Sequence, residues 1–236
     1  MRQKRLIGIV GGLGPSATIF YYREAHRLCL EACGHRPRLL LYSIPLEEMC
    51  TAAKRGDLEA MAGLVAGALR SLAAGGAEVA LVSANTPHLA RRLYTPVAER
   101  LGLRLVDIVE ASAAALARQG ARRVGLLATT ATLRSRLYHR VLEGMGLEVA
   151  EPPPRLQEAL DAAIAEGFAT GSPGPGAVEA LRAATRSLAA AGVDAVLIAC
   201  TDLSPHRRLV EEEAGGASVV DSALEQLREA IAASTG

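Results

Sequence analysis

The sequence predicts an α/β protein with two similar parallel-sheet domains, and three features of the chain support this class. Short apolar runs alternate with longer segments rich in Ala, Leu, Arg and Glu. The runs are apolar at nearly every position, as expected for strands that are buried on both faces of a parallel sheet. The same strand and helix landmarks also occur twice in the same order, so we expect one domain pattern to be duplicated.

The pattern of each segment predicts its element. The predicted strands are residues 6–10, 39–42, 79–83, 104–106, 124–128, 195–199 and 218–220, and the clearest predicted helices are residues 17–33, 57–74 and 177–191. Residues 167–176 contain the sequence Ser-Pro-Gly-Pro and are predicted to form a surface loop or connector.

The duplication divides the chain. Residues 7–10 match residues 124–127, residues 79–88 match residues 195–206, and the aspartates at 107 and 221 each open a helix. We predict a first domain of residues 1–103 and 216–236, to which the last helix returns, and a second domain of residues 104–215. We also expect a pseudo-twofold axis between the domains, so that their strand ends share one cleft.

Composition excludes several functions. The net charge is +1, which gives no basic surface for nucleic acid or an anionic membrane. No apolar run reaches the roughly 18 residues that a membrane span needs. A strand is predicted close to the N-terminus in place of a signal peptide, so we expect a cytoplasmic protein.

The four cysteines are not spaced as a zinc site, and we expect no bound metal. Cys29 and Cys33 lie four apart on one helix face and are expected to pack in the core. Cys200 ends an apolar strand, where it is either an inert buried thiol or one whose pKa is lowered by a helix N-terminus. His88 and His206 occupy matched places, where hydrogen bonding near helix starts is expected rather than metal binding.

A glycine-rich turn follows the first strand. Gly12, Gly14 and Ala17 fit a dinucleotide-binding pattern weakly. Pro15 removes an N–H that a pyrophosphate would need, and no acidic residue ends the second strand. We therefore expect the turn at Gly12 to line a substrate and expect no nucleotide cofactor.

The segment after the third strand is short and polar. Asn85 and Thr86 are suited to binding a carboxylate through N–H groups and a hydroxyl. Thr86 is also suited to capping a helix that Pro87 opens, and both roles can hold at once. Ala84 matches Cys200 in the repeat, so the two are expected on opposite sides of one ligand.

These motifs together resemble the aspartate/glutamate racemases. The opening Gly-Ile-Val-Gly-Gly-Leu-Gly-Pro at 8–15 resembles the start of that family, and Asn85-Thr86-x-His88 resembles the end of its first Cys-Asn-Thr-x-His motif. Residues 125–129 and Cys200-Thr201-Asp202 resemble its second-half signatures. The resemblance extends over nearly the whole chain.

The resemblance implies an amino-acid racemase, commonly dimeric, that uses neither pyridoxal phosphate nor metal. Two cysteines on opposite faces of the substrate α-carbon remove and return its proton. The implied catalytic residues are Cys200, Asp202 and His88, and the implied substrate-binding residues are Gly12, Ala84, Asn85, Thr86, Thr129 and Thr201. The substrate is a small amino acid or carboxylate.

Three positions depart from the family pattern. The first catalytic cysteine falls on Ala84, Asp202 stands where Glu is frequent, and Glu47-Glu48 follow an Ile-Pro where aspartate-specific members carry Arg. The sequence therefore leaves three hypotheses: a racemase with weak or altered activity, a one-thiol decarboxylase or lyase of the same superfamily, and a non-catalytic binder of small carboxylates.

Overall fold

The computed structural model describes residues 5–235, whose strands form two four-stranded parallel sheets. The strands are β1 (Ile7–Gly11), β2 (Leu39–Ser43), β3 (Val79–Val82), β4 (Arg104–Val106), β5 (Arg123–Leu127), β6 (Glu148–Ala150), β7 (Ala195–Ile198) and β8 (Ser218–Asp221). The first sheet has the order β2-β1-β3-β4 and the second the order β6-β5-β7-β8. Because the two orders are the same along their own halves of the chain, the predicted α/β fold with two similar domains is confirmed.

Helices connect the parallel strands, as parallel pairing requires. They are α1 (Pro15–Cys33), α2 (Leu46–Arg55), α3 (Leu58–Ala74), α4 (Arg91–Arg100), α5 (Ile108–Gln119), α6 (Thr130–Ser135), α7 (His139–Gly144), α8 (Pro154–Ala163), α9 (Pro175–Ala190), α10 (Arg207–Glu213) and α11 (Ser222–Thr235). Short 3₁₀-helices span Thr86–Ala90 and Ser204–His206, and a π-helix spans Ile164–Phe168. Among residues 5–235, no helix has both the length and the apolar character needed to cross a membrane.

The chain divides into two compact units at positions slightly different from the predicted domain boundaries. The first unit contains the residues up to Ile108 and those from Gln226 onward, and the second is Val109–Glu225. The predicted boundaries would assign β4 to the second domain and β8 to the first. Instead β4 pairs with β3 and β8 pairs with β7, so both divisions fall later in the chain.

One glycine in each sheet allows a helix to pack closely, and the two positions are equivalent. A Cβ on Gly8 of β1 would lie 3.0 Å from the Leu72 side chain of α3. A Cβ on Gly125 of β5 would lie 2.9 Å from the Leu188 side chain of α9. Both leucines are buried in the core of their own unit. The duplication therefore extends from strand order to individual packing contacts.

Most of the last helix belongs to the first unit. The Gln226 side chain accepts a hydrogen bond from the Tyr21 hydroxyl over 2.7 Å and donates one to the carbonyl oxygen of Val106 over 2.8 Å. The backbone N–H of Arg5 donates to the carbonyl oxygen of Ser234 over 3.1 Å. Both ends of the described chain thus belong to one unit.

Candidate active site

Ala84 and Cys200 occupy equivalent positions, each at the carboxyl edge of its own sheet. In the first unit the N–H of Ser83 donates to the carbonyl oxygen of Val10 over 2.9 Å, and Ala84 follows. In the second unit the N–H of Ala199 donates to the carbonyl oxygen of Leu127 over 2.9 Å, and Cys200 follows. Ligands of parallel α/β sheets bind beyond this edge, so both positions are placed for chemistry.

The turn after β1 requires glycine at position 12. Gly12 has a φ of +83°, and a Cβ there would lie 2.3 Å from both the Ile44 carbonyl oxygen and the Ser43 hydroxyl. Its N–H donates to the Thr18 hydroxyl over 2.9 Å. Because that donor is engaged within the turn, it is not directed at a phosphate, in agreement with the weak dinucleotide pattern.

The segment after β3 is a single 3₁₀ turn. Thr86 is the first residue of the 3₁₀-helix Thr86–Ala90, Asn85 precedes it, and no side chain caps the helix. The prediction that Thr86 caps an α-helix is therefore wrong, since the α-helix begins only at Arg91. Asn85 is buried and Thr86 is half-buried, so the exposed part of this segment centres on the threonine.

His88 is buried beneath this turn. Its Nδ1 lies 2.8 Å from the carbonyl oxygen of Ala84, and because a carbonyl only accepts, Nδ1 carries the hydrogen. Burial lowers the pKa of His88, although the carboxylate of Asp107 acts in the opposite direction. Asp107 is itself paired with Arg91 at 3.1 Å. His88 is thus a neutral imidazole that supports the backbone at position 84.

Polar groups from α6 and α8 meet at the end of β5. Thr129 caps α6, and its hydroxyl accepts a hydrogen bond from the N–H of Thr132 over 3.3 Å. The next N–H, of Thr130, donates to the Asp161 carboxylate over 2.9 Å. Gln157 donates to the carbonyl oxygen of Ala128 over 2.9 Å and to Asp161 over 3.3 Å. This network fixes the backbone around Thr129.

The Cys200 thiol is buried, and its pKa is raised rather than lowered. Burial is the largest cause, the nearby carboxylate of Asp202 adds to it, and Asp161 contributes in the same direction. The backbone N–H groups of Asp202 and Leu203 oppose the shift without overcoming it. Of the two alternatives for Cys200, the structure favours the inert buried thiol over the helix-activated one. Burial outweighs the backbone N–H groups because the following 3₁₀-helix, Ser204–His206, is only one turn long, and the two carboxylates add to the upward shift in pKa.

Asp202 combines a raised pKa with a buried carboxylate oxygen. Burial raises its pKa to about 6. Its Oδ1 atom is buried and has no hydrogen-bond partner among the described residues. Thr201, between the two, is also buried. The carboxylate of Asp202 therefore disfavours the thiolate form of Cys200, whereas the pKa of Asp202 itself is raised by burial.

The matched histidines of the sequence are not equivalent in the structure. His88 lies four residues beyond Ala84, whereas the residue four beyond Cys200 is Ser204. His206 is half-buried and packs edge-to-face on Phe168, with ring centroids 4.8 Å apart. Neither histidine belongs to a metal-ligating cluster within residues 5–235.

Ser204 and Asp221 form a buried pair that the sequence analysis did not identify. The Ser204 hydroxyl donates to the Asp221 carboxylate over 2.9 Å, and the same oxygen accepts the N–H of Ala223 over 2.9 Å. Burial raises the pKa of Asp221 to about 6, with Ser204 acting in the opposite direction. The equivalent position in the first unit, Asp107, lies near His88.

Asp161 and Gln157 were also missed because α8 was not predicted. The signal was present: Pro153-Pro154 precede apolar residues at 156, 160, 163 and 164, which is helical spacing after an N1 proline. Gln157 and Asp161 lie four apart, on one face of that helix.

Comparison with known proteins agrees with this geometry. The family model described as Asp/Glu/hydantoin racemase matches residues 10–230. A candidate Asp/Glu racemase from Yersinia pestis is 28% identical, with a TM-score of 0.83 over 98% of this chain and 100% of that one. An aspartate racemase homologue from Pyrococcus horikoshii is also 28% identical, with a TM-score of 0.79 over 99% and 100% of the two chains.

A more distant structure has the same fold. The aspartate racemase of Picrophilus torridus is 21% identical, with a TM-score of 0.72 over 96% of this chain and 94% of that one. The family match extends through both sheets and includes Ala84, Cys200 and the residues around them. With the duplicated fold and these two equivalent strand ends, the chain belongs to the Asp/Glu/hydantoin racemase family.

Proposed function

We propose that this protein catalyses proton transfer at the α-carbon of a small amino acid, with Cys200 as the proton-transfer thiol and without pyridoxal phosphate or metal. One observation carries the proposal: Cys200 is buried at a strand end beside Asp202, whose pKa of about 6 suits proton exchange near neutral pH. Membership of a racemase family supports the same chemistry. We further propose a cytoplasmic homodimer, as the family resemblance implies.

The remaining site residues bind and position the substrate in this proposal. Asn85, Thr86 and Thr201 bind the α-carboxylate, and Gly12, Thr129 and the Ala84 methyl group line the site. His88 is a positioning residue, because its hydrogen bond acts on the backbone of Ala84. Asp202 orients or polarises the site beside the Cys200 thiol.

Ala84 determines the stereochemical outcome. A methyl group carries no exchangeable proton, and the nearby Ser83 hydroxyl donates to the carbonyl oxygen of Val10 over 3.1 Å. Proton transfer is therefore expected on one face of the α-carbon. The protein should exchange solvent deuterium into one enantiomer with retention, and racemise that amino acid slowly.

A panel of amino acids incubated in deuterated water, followed by NMR and chiral chromatography, tests this function. Cys200→Ser should abolish exchange, and Ala84→Cys should raise racemisation by about 10²–10⁴-fold, the usual contribution of a positioned acid or base. Cys50→Ser, at an exposed cysteine outside the site, is the matched control. If the natural protein racemises an amino acid at ordinary enzyme rates, and Ala84→Cys does not increase that rate, the role given to Ala84 is wrong.

A second candidate, decarboxylation, is favoured by the raised pKa of Cys200. A thiol that keeps its proton is suited to protonating a carbanion. In this reaction the bond to a carboxylate breaks, its electron pair remains on the α-carbon, carbon dioxide leaves and Cys200 donates its proton. Release of carbon dioxide from a malonate-type substrate would identify this reaction. A protein that binds a carboxylate measurably but shows neither deuterium exchange nor carbon dioxide release would be the non-catalytic binder.

A further inference from the structure

A cluster of two thiols and one imidazole lies at the C-terminal end of α1, outside the candidate active site. The ligand atoms of Cys29, Cys33 and His35 all lie within 4.8 Å of one another. Cys29 is buried, and Cys33 and His35 are half-buried, so the cluster is accessible from solvent. From the sequence the two cysteines were expected to pack in the core, and His35 was not part of that prediction.

Local backbone geometry brings the three side chains together. Residues 29 and 33 are four apart on α1, so their side chains lie on one face of adjacent turns. Gly34 then ends the helix in the left-handed region, with a φ of 69°, and reverses the chain so that His35 returns to that face. The result is a Cys-x₃-Cys-x-His arrangement closed by a helix cap.

The spacing of the cluster fits a tetrahedral metal ion. The Cys29 sulfur lies 3.7 Å from Nδ1 of His35. Two such ligands on one tetrahedral zinc ion are about 3.6 Å apart, given Zn–S and Zn–N distances of about 2.3 and 2.0–2.1 Å. The same Nδ1 lies 2.9 Å from the carbonyl oxygen of Arg36. A zinc ion bound at Nδ1 would displace this hydrogen bond, whereas a zinc ion bound at Nε2 would keep it as the bond that orients the ring.

We propose that Cys29, Cys33 and His35 bind one Zn²⁺ ion, with solvent water as the fourth ligand. Thiolate and imidazole ligands select zinc and similar soft ions over magnesium and calcium. The ion would hold the end of α1 to the segment that leads into β2. α1 begins close to Gly12 and its 19 residues extend about 28 Å, so the ion lies far from that turn. Its role is therefore structural and does not include proton transfer.

Equilibrium dialysis of the full chain against micromolar ZnCl₂, with metal analysis, tests the proposal. We expect one zinc ion per chain in the natural protein and in the control Cys50→Ser. Cys33→Ser and His35→Ala should bind at least about 100-fold more weakly, because even outer-shell partners contribute 10–100-fold. Cys33→His should retain binding, which a purely packing role of the thiol would not predict.

Cobalt substitution of the natural protein provides a readout that needs no variant. Co²⁺ bound to the natural protein should give a thiolate charge-transfer band, and Cys33→His should reduce its intensity. Zinc should also raise the melting temperature of the natural protein but not that of His35→Ala. Absence of the charge-transfer band, or zinc binding that Cys33→Ser and His35→Ala leave unchanged, would overturn the proposal.

Discussion

His88 donates a hydrogen bond from Nδ1 to the carbonyl oxygen of Ala84 over 2.8 Å, and so supports the backbone at the position where the family resemblance places a catalytic thiol. The ring is buried and its pKa is lowered, so it remains neutral near neutral pH. This pair links the segment after β3 to the interior of the first unit, and the first prediction follows from it.

His88→Leu should lower the free energy of unfolding by about 1–3 kcal/mol, because the buried carbonyl of Ala84 would lose its hydrogen bond. Urea denaturation measures the change, and His206→Leu is the control, since His206 packs against Phe168. Equal losses in both variants would show that the hydrogen bond is not important.

His88 should also make stability depend on pH in a defined direction. Its folded pKa is below the usual 6.5, so between these values the unfolded chain binds a proton that the folded chain does not. Stability contributed by His88 is therefore complete above pH 6.5 and is lost as the pH falls. NMR titration of the ring should show it still neutral at pH 6.5, and His88→Leu should remove this contribution.

Cys200 should react slowly with iodoacetamide at neutral pH, because burial and Asp202 raise its pKa. Asp202→Asn should increase the alkylation rate, since a neutral amide removes the repulsion of the thiolate. Mass spectrometry of the peptide that contains Cys200 measures the rate, with the exposed Cys50 as internal reference. Alkylation of Cys200 as fast as that of Cys50 would contradict the raised pKa.

Gly12→Ala should destabilise the protein by more than the about 1–2 kcal/mol that a left-handed backbone alone costs. The added Cβ would lie 2.3 Å from the Ile44 carbonyl oxygen. Gly56→Ala is the matched control, because Gly56 has a φ of +66° and open space around the added atom. The difference between the denaturation midpoints of Gly12→Ala and Gly56→Ala measures the cost of the clash with Ile44. Equal midpoints would show that the clash has no cost.

The free energy of unfolding that Asp221 contributes should be lost as the pH rises through its folded pKa. That pKa is about 6 against a usual 3.8, so between these values the folded chain holds a proton that the unfolded chain has released. The contribution is present below pH 3.8 and lost by pH 6, a change on the order of 3 kcal/mol for two pKa units. Unfolding curves of Asp221→Asn should lack this pH dependence, and the natural protein provides the comparison. An identical dependence in both proteins would contradict the assignment.

Strands with continuous apolar runs were the part of the fold that the sequence predicted best. β4 has the predicted bounds, and the other predicted strands begin and end within one residue of them, because continuous apolar runs in a parallel sheet leave little ambiguity. β6 was missed because its three residues are partly exposed and include Glu148, so no apolar run marks it. The predicted domain boundaries fell before β4 and before β8, whereas each of these strands pairs with the strand that precedes it in the chain.

Positions within the site were predictable, but their electrostatics were not. The repeat placed Ala84 and Cys200 at equivalent strand ends, since both follow a buried strand at the same offset. The raised pKa of Cys200 depends mainly on burial, with a smaller contribution from Asp161, which lies 39 residues earlier in the chain on a helix that was not predicted. Such a contact is determined by tertiary packing and leaves no local signal.

The hydrogen bonds that Gln226 accepts from Tyr21 and donates to Val106 have a consequence for synthesis on the ribosome. The second unit is one continuous stretch, Val109–Glu225, and can fold as it emerges. The first unit has to wait, because α11 is translated only after the whole second unit. Its nascent sheet therefore remains without its closing helix through more than a hundred codons, a period in which chaperone binding would protect the apolar surface that Gln226 and its neighbours later cover.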